Sequence, residues 1–284
     1  MLSGALGPSE ARADPASLPG PFEHIQARAV TVDPAARQVS LEDGRKIAFD
    51  LLSLNTGSAV AETALTRFGA IPVKPVSNLA DVRARIEAAR GALRLAVAGA
   101  GATGVETALS LASLQRRLGA PVQVTLFGPD PLLPGWPAGA QPMAAQVLVQ
   151  AGVEHVAVKA TRLEDGALVD ETGSAHAADL AIAATGLIAQ LPEGLDAGPE
   201  GLPVGSDLAW LEDLAIFAAG DCAHMTHAPR PKLGVFGVRA APVLIDNLIA
   251  AGRGETARKR YDPQERWLSL MDLGDGTALG RYGG

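Results

Sequence analysis

The amino-acid sequence predicts an α/β fold built from two related units. Three observations lead to this prediction: an apolar strand that runs into a glycine-rich turn and a helix, a pattern that recurs at a fixed offset, and a second apolar strand that ends in Gly-Asp. The chain has 284 residues, of which 48% are hydrophobic and 19% charged, so it is long enough to form two buried cores.

The composition argues against several classes of function. A formal net charge of −7 and an aromatic content of 4% do not favour nucleic-acid binding. Cys222 is the one cysteine, so the chain contains no Cys-x-x-Cys pair and fits a reducing cytoplasm. No apolar run approaches the roughly 18 residues of a membrane span. Residues 1–20 also lack the features of a secretory signal.

The first ninety residues predict short strands followed by one helix. Asp43 and Gly44 lie between two alternating runs, which is a strong signal for a β-hairpin. The run 49–57 predicts a buried strand, and the apolar spacing over 78–90 predicts a helix.

The glycine-rich turn has the Gly-x-Gly-x-x-Gly spacing of a dinucleotide-binding site. It follows a predicted strand and precedes a helix and a second strand, at 93–98, 103–118 and 122–127. Gly99 would make the tight turn, Gly101 would let the main chain approach a pyrophosphate, and Gly104 would let the helix pack on the strand. The helix begins near Ala102 and Thr103, where free N–H groups and the helix dipole favour phosphate. The alternative is a tight turn that binds no ligand.

The residues that would read the rest of a nicotinamide dinucleotide are less clear in the sequence. Gly128 stands where an acid usually binds the ribose, and Asp130 is the remaining candidate unless it is simply a solvated turn residue. No Arg or Lys follows the strand to bind a 2′-phosphate, so NAD is favoured slightly over NADP. Glu106 either favours the helix dipole or contacts the nicotinamide.

A repeat explains why the glycine-rich turn comes so late in the chain. Segment 168–186 matches segment 39–57 without a gap, at an offset of 129 residues. The matching pairs are Gly44 and Gly173, Asp50 and Asp179, Thr56 and Thr185, and Gly57 and Gly186. The repeat predicts a duplicated unit: a nucleotide-binding βαβ, a β-meander, and a strand that ends in Thr-Gly. The same spacing places the first glycine-rich turn before residue 1, so we expect the first copy to lack its front.

The third motif is the Gly-Asp turn at the end of the strand 214–219. Asp221 could accept hydrogen bonds from the ribityl hydroxyls of a flavin, and Gly220 would let the main chain approach it closely. A helix is predicted over 233–251, and its start near Lys232 and Leu233 suits the negative charge of a reduced flavin.

Two further groups of residues have competing interpretations. Cys222, His224 and His227 have a metal-like spacing, but no fourth ligand is near them in the sequence, so no metal site is predicted. Cys222 has no identifiable activating partner that would make it a nucleophile. Lys74 is either a linker residue between prolines or a cation at the edge of a cofactor.

The chain resembles the pyridine nucleotide–disulfide oxidoreductase superfamily, which are flavoproteins with two dinucleotide-binding folds. Four segments carry the resemblance: LLSLNTGS (51–58), VAGAGATGVE (97–106), AIAATG (181–186) and IFAAGDCA (216–223). Within the superfamily it is most similar to the type II NADH dehydrogenase-like branch, particularly to flavoproteins fused to selenide, water dikinase. That likeness lies in segments 73–76, 230–248 and 268–284.

The resemblance implies an NAD-binding Rossmann-like domain inserted into an incomplete FAD-binding domain, both with β-meanders. The domains would be a remnant of the FAD-binding domain at 1–90, the NAD(P)-binding domain at 91–189, and a return to the FAD-binding domain at 190–284. FAD and NAD(P)H are the implied cofactors. Asp221 would bind the ribityl chain, and the helix after Lys232 would face the flavin ring.

The implied activity is hydride transfer from NAD(P)H to the flavin N5, with electrons passed on to a quinone or another acceptor. The sequence identifies no catalytic residue, and the missing cysteine pairs argue against disulfide or sulfide chemistry. The implied location is cytoplasmic or peripheral at the inner membrane. Because the FAD-binding βαβ is not found, we expect poor FAD retention. The alternative is a non-catalytic module that binds only NAD(H).

Overall fold

The computed structural model describes residues 2–3, 14–119, 122–256 and 258–283, which form two compact units. Unit 1 is drawn from 1–17, 60–186 and 268–284, and unit 2 from 18–59 and 187–267. The long central segment of unit 1 is therefore inserted between the two segments of unit 2.

Five α-helices lie within the described ranges. They are α1 (Ala64–Arg67), α2 (Ser77–Ala88), α3 (Ala102–Leu118), α4 (Ala140–Gln150) and α5 (Gly234–Gly252). The predicted helices at 78–90, 103–118 and 233–251 are confirmed as α2, α3 and α5, with ends that differ by one or two residues.

The strands are short and numerous. The first nine are β1 (Ala29–Asp33), β2 (Gln38–Leu41), β3 (Lys46–Ala48), β4 (Leu52–Leu54), β5 (Ser58–Val60), β6 (Ile71–Pro72), β7 (Leu93–Ala98), β8 (Val122–Phe127) and β9 (Glu154–Val156). The next five are β10 (Ala160–Glu164), β11 (Ala167–Asp170), β12 (Ala175–Ala177), β13 (Leu180–Ala183) and β14 (Leu187–Ala189). The last five are β15 (Leu202–Val204), β16 (Ile216–Ala218), β17 (Ala223–Met225), β18 (Trp267–Asp272) and β19 (Ala278–Gly283).

Unit 1 is organised around a five-stranded sheet in the order β6-β13-β7-β8-β9, with parallel pairing throughout. Its central strands β7 and β8 have the predicted bounds, 93–98 and 122–127. Leu95 and Val97 on one face and Ala96 and Phe127 on the other are almost fully buried, as in a parallel sheet covered on both faces. Helix α3 packs on β7 and β8 through Val105, Ala108 and other small apolar residues.

The predicted repeat is confirmed by the strands themselves. Each unit contains a three-stranded antiparallel meander, β1-β2-β3 in unit 2 and β10-β11-β12 in unit 1. Strands β2, β3 and β5 correspond residue for residue to β11, β12 and β14 at the offset of 129. The hairpin glycines also match, because Gly44 and Gly173 have φ values of 86° and 87°.

Unit 2 has a smaller core around the parallel pair β4 and β16. Phe217, Ile216, Trp210 and Leu202 are buried there. The strand predicted at 49–57 is observed only at 52–54, because the chain turns at residues 55–57 before it enters β5.

Helix α5 packs into the same core through Ala240 and Leu244. Among the described helices, α5 alone is long and apolar enough to cross a bilayer, with a mean hydropathy of 1.4 over 18 residues. This criterion uses only length and composition, and a core helix that buries one side also meets it.

The carboxylate of Asp170 is expected to make the meander of unit 1 sensitive to acid. Asp170 is 4% exposed and accepts hydrogen bonds from the N–H groups of Thr172 and Ser174 and from the ring of His176, at 2.8, 3.1 and 2.8 Å. The His176 and Thr172 bonds hold the pKa of Asp170 well below its usual range. The stabilisation is therefore complete above the unfolded pKa of about 4 and is lost as pH falls below it.

We predict that Asp170→Asn lowers the melting temperature at pH 7, and that the difference from the wild type shrinks as pH falls from about 5 to 3. Thermal unfolding at several pH values measures this. Asp43→Asn, at the equivalent but exposed hairpin of unit 2, is the control and should change stability little. A constant difference across this pH range would contradict the prediction.

Candidate functional site

The glycine-rich turn of unit 1 is held by main-chain contacts that exclude side chains. Gly99 has φ 134°, and a Cβ there would overlap the carbonyl oxygen of Ala184 at the end of β13. A Cβ on Gly104 would overlap the carbonyl oxygen of Gly99, so α3 sits directly on the turn. Both glycines thus occupy the positions for which the sequence predicted a tight turn and close helix packing.

Gly101 differs from its neighbours because a Cβ there would meet nothing within 4 Å. It is the N-cap of α3, and within the described ranges no side-chain hydrogen bond caps the helix there. Ala102 and Thr103 begin the first turn, where main-chain N–H groups lack acceptors within the helix. Open space, unpaired donors and a positive dipole end fit a pyrophosphate.

The loop that follows β8 lies on the same turn. A Cβ on Gly128 would come within 2.5 Å of the nitrogen and Cβ of Ala100, which explains physically why no acid stands there. The N–H of Leu133 donates to the carbonyl oxygen of Ala100 at 2.8 Å. The side chain of Asp130 is 71% exposed, with the His155 ring 4.0 Å away. Its role as a ribose ligand stays a prediction.

Glu106 lines a cavity of about 310 Å³ in unit 1. Its Oε1 accepts a hydrogen bond from the main-chain N–H of Asp272 at 3.0 Å, and burial raises the pKa of the Glu106 carboxyl. Lys74 and Thr103 line the same cavity. The structure therefore brings the two residues with ambiguous sequence interpretations, Lys74 and Glu106, to one place near the start of α3.

The two Thr-Gly motifs have different surroundings. The buried hydroxyl of Thr185 has no hydrogen-bond partner among the described residues, and the carbonyl of Gly186 accepts the N–H of Ala61 at 3.0 Å. In unit 2 the hydroxyl of Thr56 donates to the carbonyl of Gln190. The carbonyl of Gly57 accepts the N–H of Gln190 at 3.0 Å, as that of Gly186 accepts Ala61, but Gly57, with φ 76°, also lines a cavity.

That cavity in unit 2 has a volume of about 390 Å³ and is lined largely by glycine. Its lining residues are Asn55, Gly57, Gly220, Asp221, Gly234, Gly237 and Val238. A Cβ on Gly237 of α5 would lie 3.1 Å from the Cα of Gly220, so the helix closely approaches the Gly-Asp turn. The predicted Gly-Asp turn and the predicted helix start therefore meet at one cavity.

The polar groups of this cavity are fixed by short hydrogen bonds. The hydroxyl of Ser58 donates to Oδ2 of Asp221 at 2.6 Å. Nζ of Lys232 donates to the carbonyls of Asp221 and Glu200 at 2.7 and 2.8 Å. These bonds fix the main chain just before Leu233, the N-cap of α5. We assign Lys232 a positioning role here.

Asn55 and Ser58 are residues that the sequence interpretation missed. The repeat contained a signal for them: at the offset of 129, Asn55 corresponds to Ala184 and Ser58 to Leu187. A polar residue in one copy and an apolar residue in the other marks a position where the two copies have different neighbours.

Cys222 and His227, two of the three residues with metal-like spacing, have hydrogen-bond partners in unit 2. The buried thiol of Cys222 lies 3.3 Å from the carbonyl oxygen of Ala219 and 3.5 Å from that of Leu54. Nε2 of His227 lies 3.0 Å from the carbonyl oxygen of Tyr261. These contacts hold the segment after the Gly-Asp turn against the core.

Comparisons with known proteins agree with this architecture. Residues 10–241 match the sequence profile of the pyridine nucleotide-disulphide oxidoreductase family. The NADH dehydrogenase-like proteins Rv1812c and MT1860 of Mycobacterium tuberculosis are each 29% identical over 227 residues. The match covers 72% of this chain and 56% of each relative, so the chain spans about half the length of these curated relatives.

Solved structures share the fold. A ferredoxin reductase from Rhodopseudomonas palustris superposes with a TM-score of 0.70 at 21% identity, over 88% of this chain and 62% of that one. A FAD-dependent pyridine nucleotide-disulphide oxidoreductase from Desulfovibrio vulgaris gives 0.67 at 24% identity, over 87% and 65%.

The NADH dehydrogenase-like relatives agree with the branch that the sequence resembles, whereas the particular likeness to flavoproteins fused to selenide, water dikinase stays a prediction. The Rossmann-like α/β fold is confirmed by the solved structures. With the profile match covering most of its length, the chain belongs to the pyridine nucleotide-disulphide oxidoreductase family.

Proposed function

We propose that this chain is a FAD-dependent NAD(P)H oxidoreductase that passes electrons on to a quinone or another acceptor. The observation that carries the proposal is that each unit has its own glycine-lined site at the start of a long helix. In unit 1 this is the glycine-rich turn before α3, and in unit 2 it is the cavity before α5. Two such sites in one chain suit two nucleotide cofactors.

Unit 1 would hold NAD(P)H. The main chain at Gly101, Ala102 and Thr103 would bind the pyrophosphate, because open space and unpaired N–H groups coincide there. Glu106 lines the neighbouring cavity and, when ionised, can accept a hydrogen bond from the carboxamide of a nicotinamide. The choice between NAD and NADP belongs to the loop after β8, where Asp130 is the candidate ribose ligand.

Unit 2 would hold the flavin end of FAD. The residues present fit this group, since Gly57, Gly220 and Gly234 leave space that a larger residue would fill. Asp221 would accept hydrogen bonds from ribityl hydroxyls, and Ser58 fixes its carboxylate for this role. The N-terminus of α5 would favour negative charge on the reduced ring. Hydride acceptance and electron release are the chemistry that FAD supplies when bound.

The related proteins support this proposal and its finer details. The curated relatives are named NADH dehydrogenase-like, and one solved structure of the same fold is a sulfide:quinone oxidoreductase from Aquifex aeolicus. A quinone acceptor belongs to the proposal on this basis, and the cytoplasmic or membrane-peripheral location is carried over from the sequence resemblance.

A second candidate is a module that binds NAD(H) without FAD. It is favoured by one observation: unit 1 contains a complete strand, glycine-rich turn, helix and strand, whereas the described part of unit 2 contains no second turn of this kind. The FAD pyrophosphate therefore has no evident main-chain site in the described residues of unit 2, and FAD is expected to dissociate easily.

The first prediction from the proposal concerns NADH binding. Gly101→Val fills the space at the start of α3 and should raise the Kd for NADH by at least about tenfold, because the main chain can no longer approach the pyrophosphate. Calorimetric titration of NADH measures this. Gly139→Val is the matched control, since Gly139 is the N-cap of α4 and a Cβ there also meets nothing within 4 Å. Equal loss of affinity in both variants would contradict the assignment of the turn.

The second prediction concerns FAD and separates the enzyme from the NAD(H) module. After incubation with FAD, the protein should show a flavin absorbance band that NADH bleaches. Asp221→Ala should weaken FAD binding by about 10- to 100-fold, the effect of losing a charged hydrogen-bond acceptor, and leave NADH binding intact. Asp246→Ala, on α5 outside the cavity lining, serves as the control. A protein that binds NADH but never FAD supports the module, and one that binds neither nucleotide refutes both functions.

A further inference from the structure

The hairpin formed by β18 and β19 has an internally fixed turn in unit 1. The side chain of Asp272 accepts the N–H of Gly274 at 2.8 Å, and Asp275 accepts the N–H and hydroxyl of Thr277 at 2.9 and 2.6 Å. The N–H of Leu273 also donates to the carbonyl of Thr277 at 3.0 Å. These hydrogen bonds fix the turn internally.

This turn lies against the main chain of α3. Gly274 has φ 76°, and a Cβ there would come within 2.7 Å of the carbonyl oxygen of Leu109 and 3.2 Å of the Cβ of Ser113. Both the φ angle and the close approach favour glycine at this position. The hairpin therefore packs on the third and fourth turns of α3, the helix that follows the glycine-rich turn.

A second contact joins the hairpin to the loop after β8. Nη1 of Arg281 donates to the carbonyl of Gly135 at 2.5 Å, and the guanidinium carbon lies 5.2 Å from the ring centroid of Trp136. This is the loop whose residue Leu133 binds the glycine-rich turn. The hairpin thus contacts two elements of the candidate NAD(P)H site.

At the edge of the cavity the hairpin reaches Glu106. The main-chain N–H of Asp272 donates to Oε1 of Glu106 at 3.0 Å, and both residues line the cavity together with Lys74 and Thr103. The other carboxylate oxygen, Oε2, accepts no hydrogen bond from any residue that the structure describes. One oxygen is therefore held in place while the other stays available to a ligand.

We propose that Asp272 is a positioning residue whose main-chain N–H orients the Glu106 carboxylate to bind the carboxamide of the nicotinamide. This inference rests on the proposed binding of NAD(P)H by unit 1. The hairpin would then be part of the cofactor site, although no sequence motif connects it with nucleotide binding. The alternative is that the contact merely anchors the hairpin.

The charges around Glu106 allow the positioning role and the anchoring role of Asp272 to be distinguished by the pH dependence of NADH binding. Burial raises the pKa of Glu106, the N–H of Asp272 lowers it, and the nearby Asp272 carboxylate raises it by less. Among the residues that the structure describes, Lys74 is the other charged residue that lines the cavity, and Glu106 is the charged residue that α3 contributes. Because the ionised carboxylate is the better acceptor, NADH affinity should fall as pH drops through the Glu106 pKa.

Two substitutions at residue 272 separate the main-chain bond from the charge. Asp272→Pro removes both, and since the N–H bond has the larger effect, the Glu106 pKa should rise. Asp272→Asn keeps the N–H and removes the charge, so the pKa should fall. The titration midpoint is measured in ligand-free protein from the ¹³C signal of the Glu106 carboxyl, assigned with Glu106→Gln.

The same variants are titrated with NADH over a range of pH. Asp272→Pro should weaken NADH binding about tenfold at neutral pH and shift the pH at which binding is lost upward, whereas Asp272→Asn should shift that pH downward. If Asp272→Pro does not fold, Gly274→Ala displaces the turn from Leu109 and should raise the midpoint in the same way.

Three results would overturn the inference. An unchanged titration midpoint of the Glu106 carboxyl in both Asp272→Pro and Gly274→Ala would show that the proposed hydrogen bond does not act on Glu106. A moved midpoint with unchanged NADH affinity would leave the contact as an anchor of the hairpin only. Failure of the wild type to bind NADH at any pH, with a normal Glu106 titration, would reject the NAD(P)H function itself and with it the positioning role, while leaving the contact intact.

Discussion

The structure depends on main-chain groups that approach one another too closely for any side chain to lie between them. In unit 1, α3 rests on the carbonyl of Gly99, and Gly99 rests on the carbonyl of Ala184. In unit 2, α5 passes the Gly-Asp turn at the van der Waals contact of Gly237 and Gly220. These contacts place the N-terminus of each helix at the end of a strand. This arrangement creates a site for a negatively charged ligand.

The two units show how one scaffold acquires different sites. Strands β2 and β3 agree residue for residue with β11 and β12, down to the positive φ angles of Gly44 and Gly173. The residues at the strand ends do not agree. Asn55 and Ser58 bring polar groups to the cavity of unit 2, whereas the equivalent Ala184 packs against the glycine-rich turn. Local differences of this kind are sufficient to give each copy its own chemistry.

Local patterns determined what could be predicted from the sequence. Strands 93–98 and 122–127 were predicted with their observed bounds because these mostly apolar runs flank the glycine-rich turn and its helix. The strand at 49–57 was predicted too long, since the apolar pattern does not show that the chain turns at Gly57. Gly128 could be recognised as a missing acid, but its cause, the contact with Ala100, required the structure. The hydrogen bond between Asp272 and Glu106 joins residues 166 positions apart in the sequence, so no local pattern could predict it.

The interleaving of the segments has a consequence for biosynthesis. Glu106 leaves the ribosome long before Asp272, and the whole second segment of unit 2, residues 187–267, is translated between them. Since domains generally fold as they emerge, α3 must exist for many seconds with the surface around Leu109 and Ser113 uncovered. Unit 1 can therefore be completed only after the second segment of unit 2 has been synthesised.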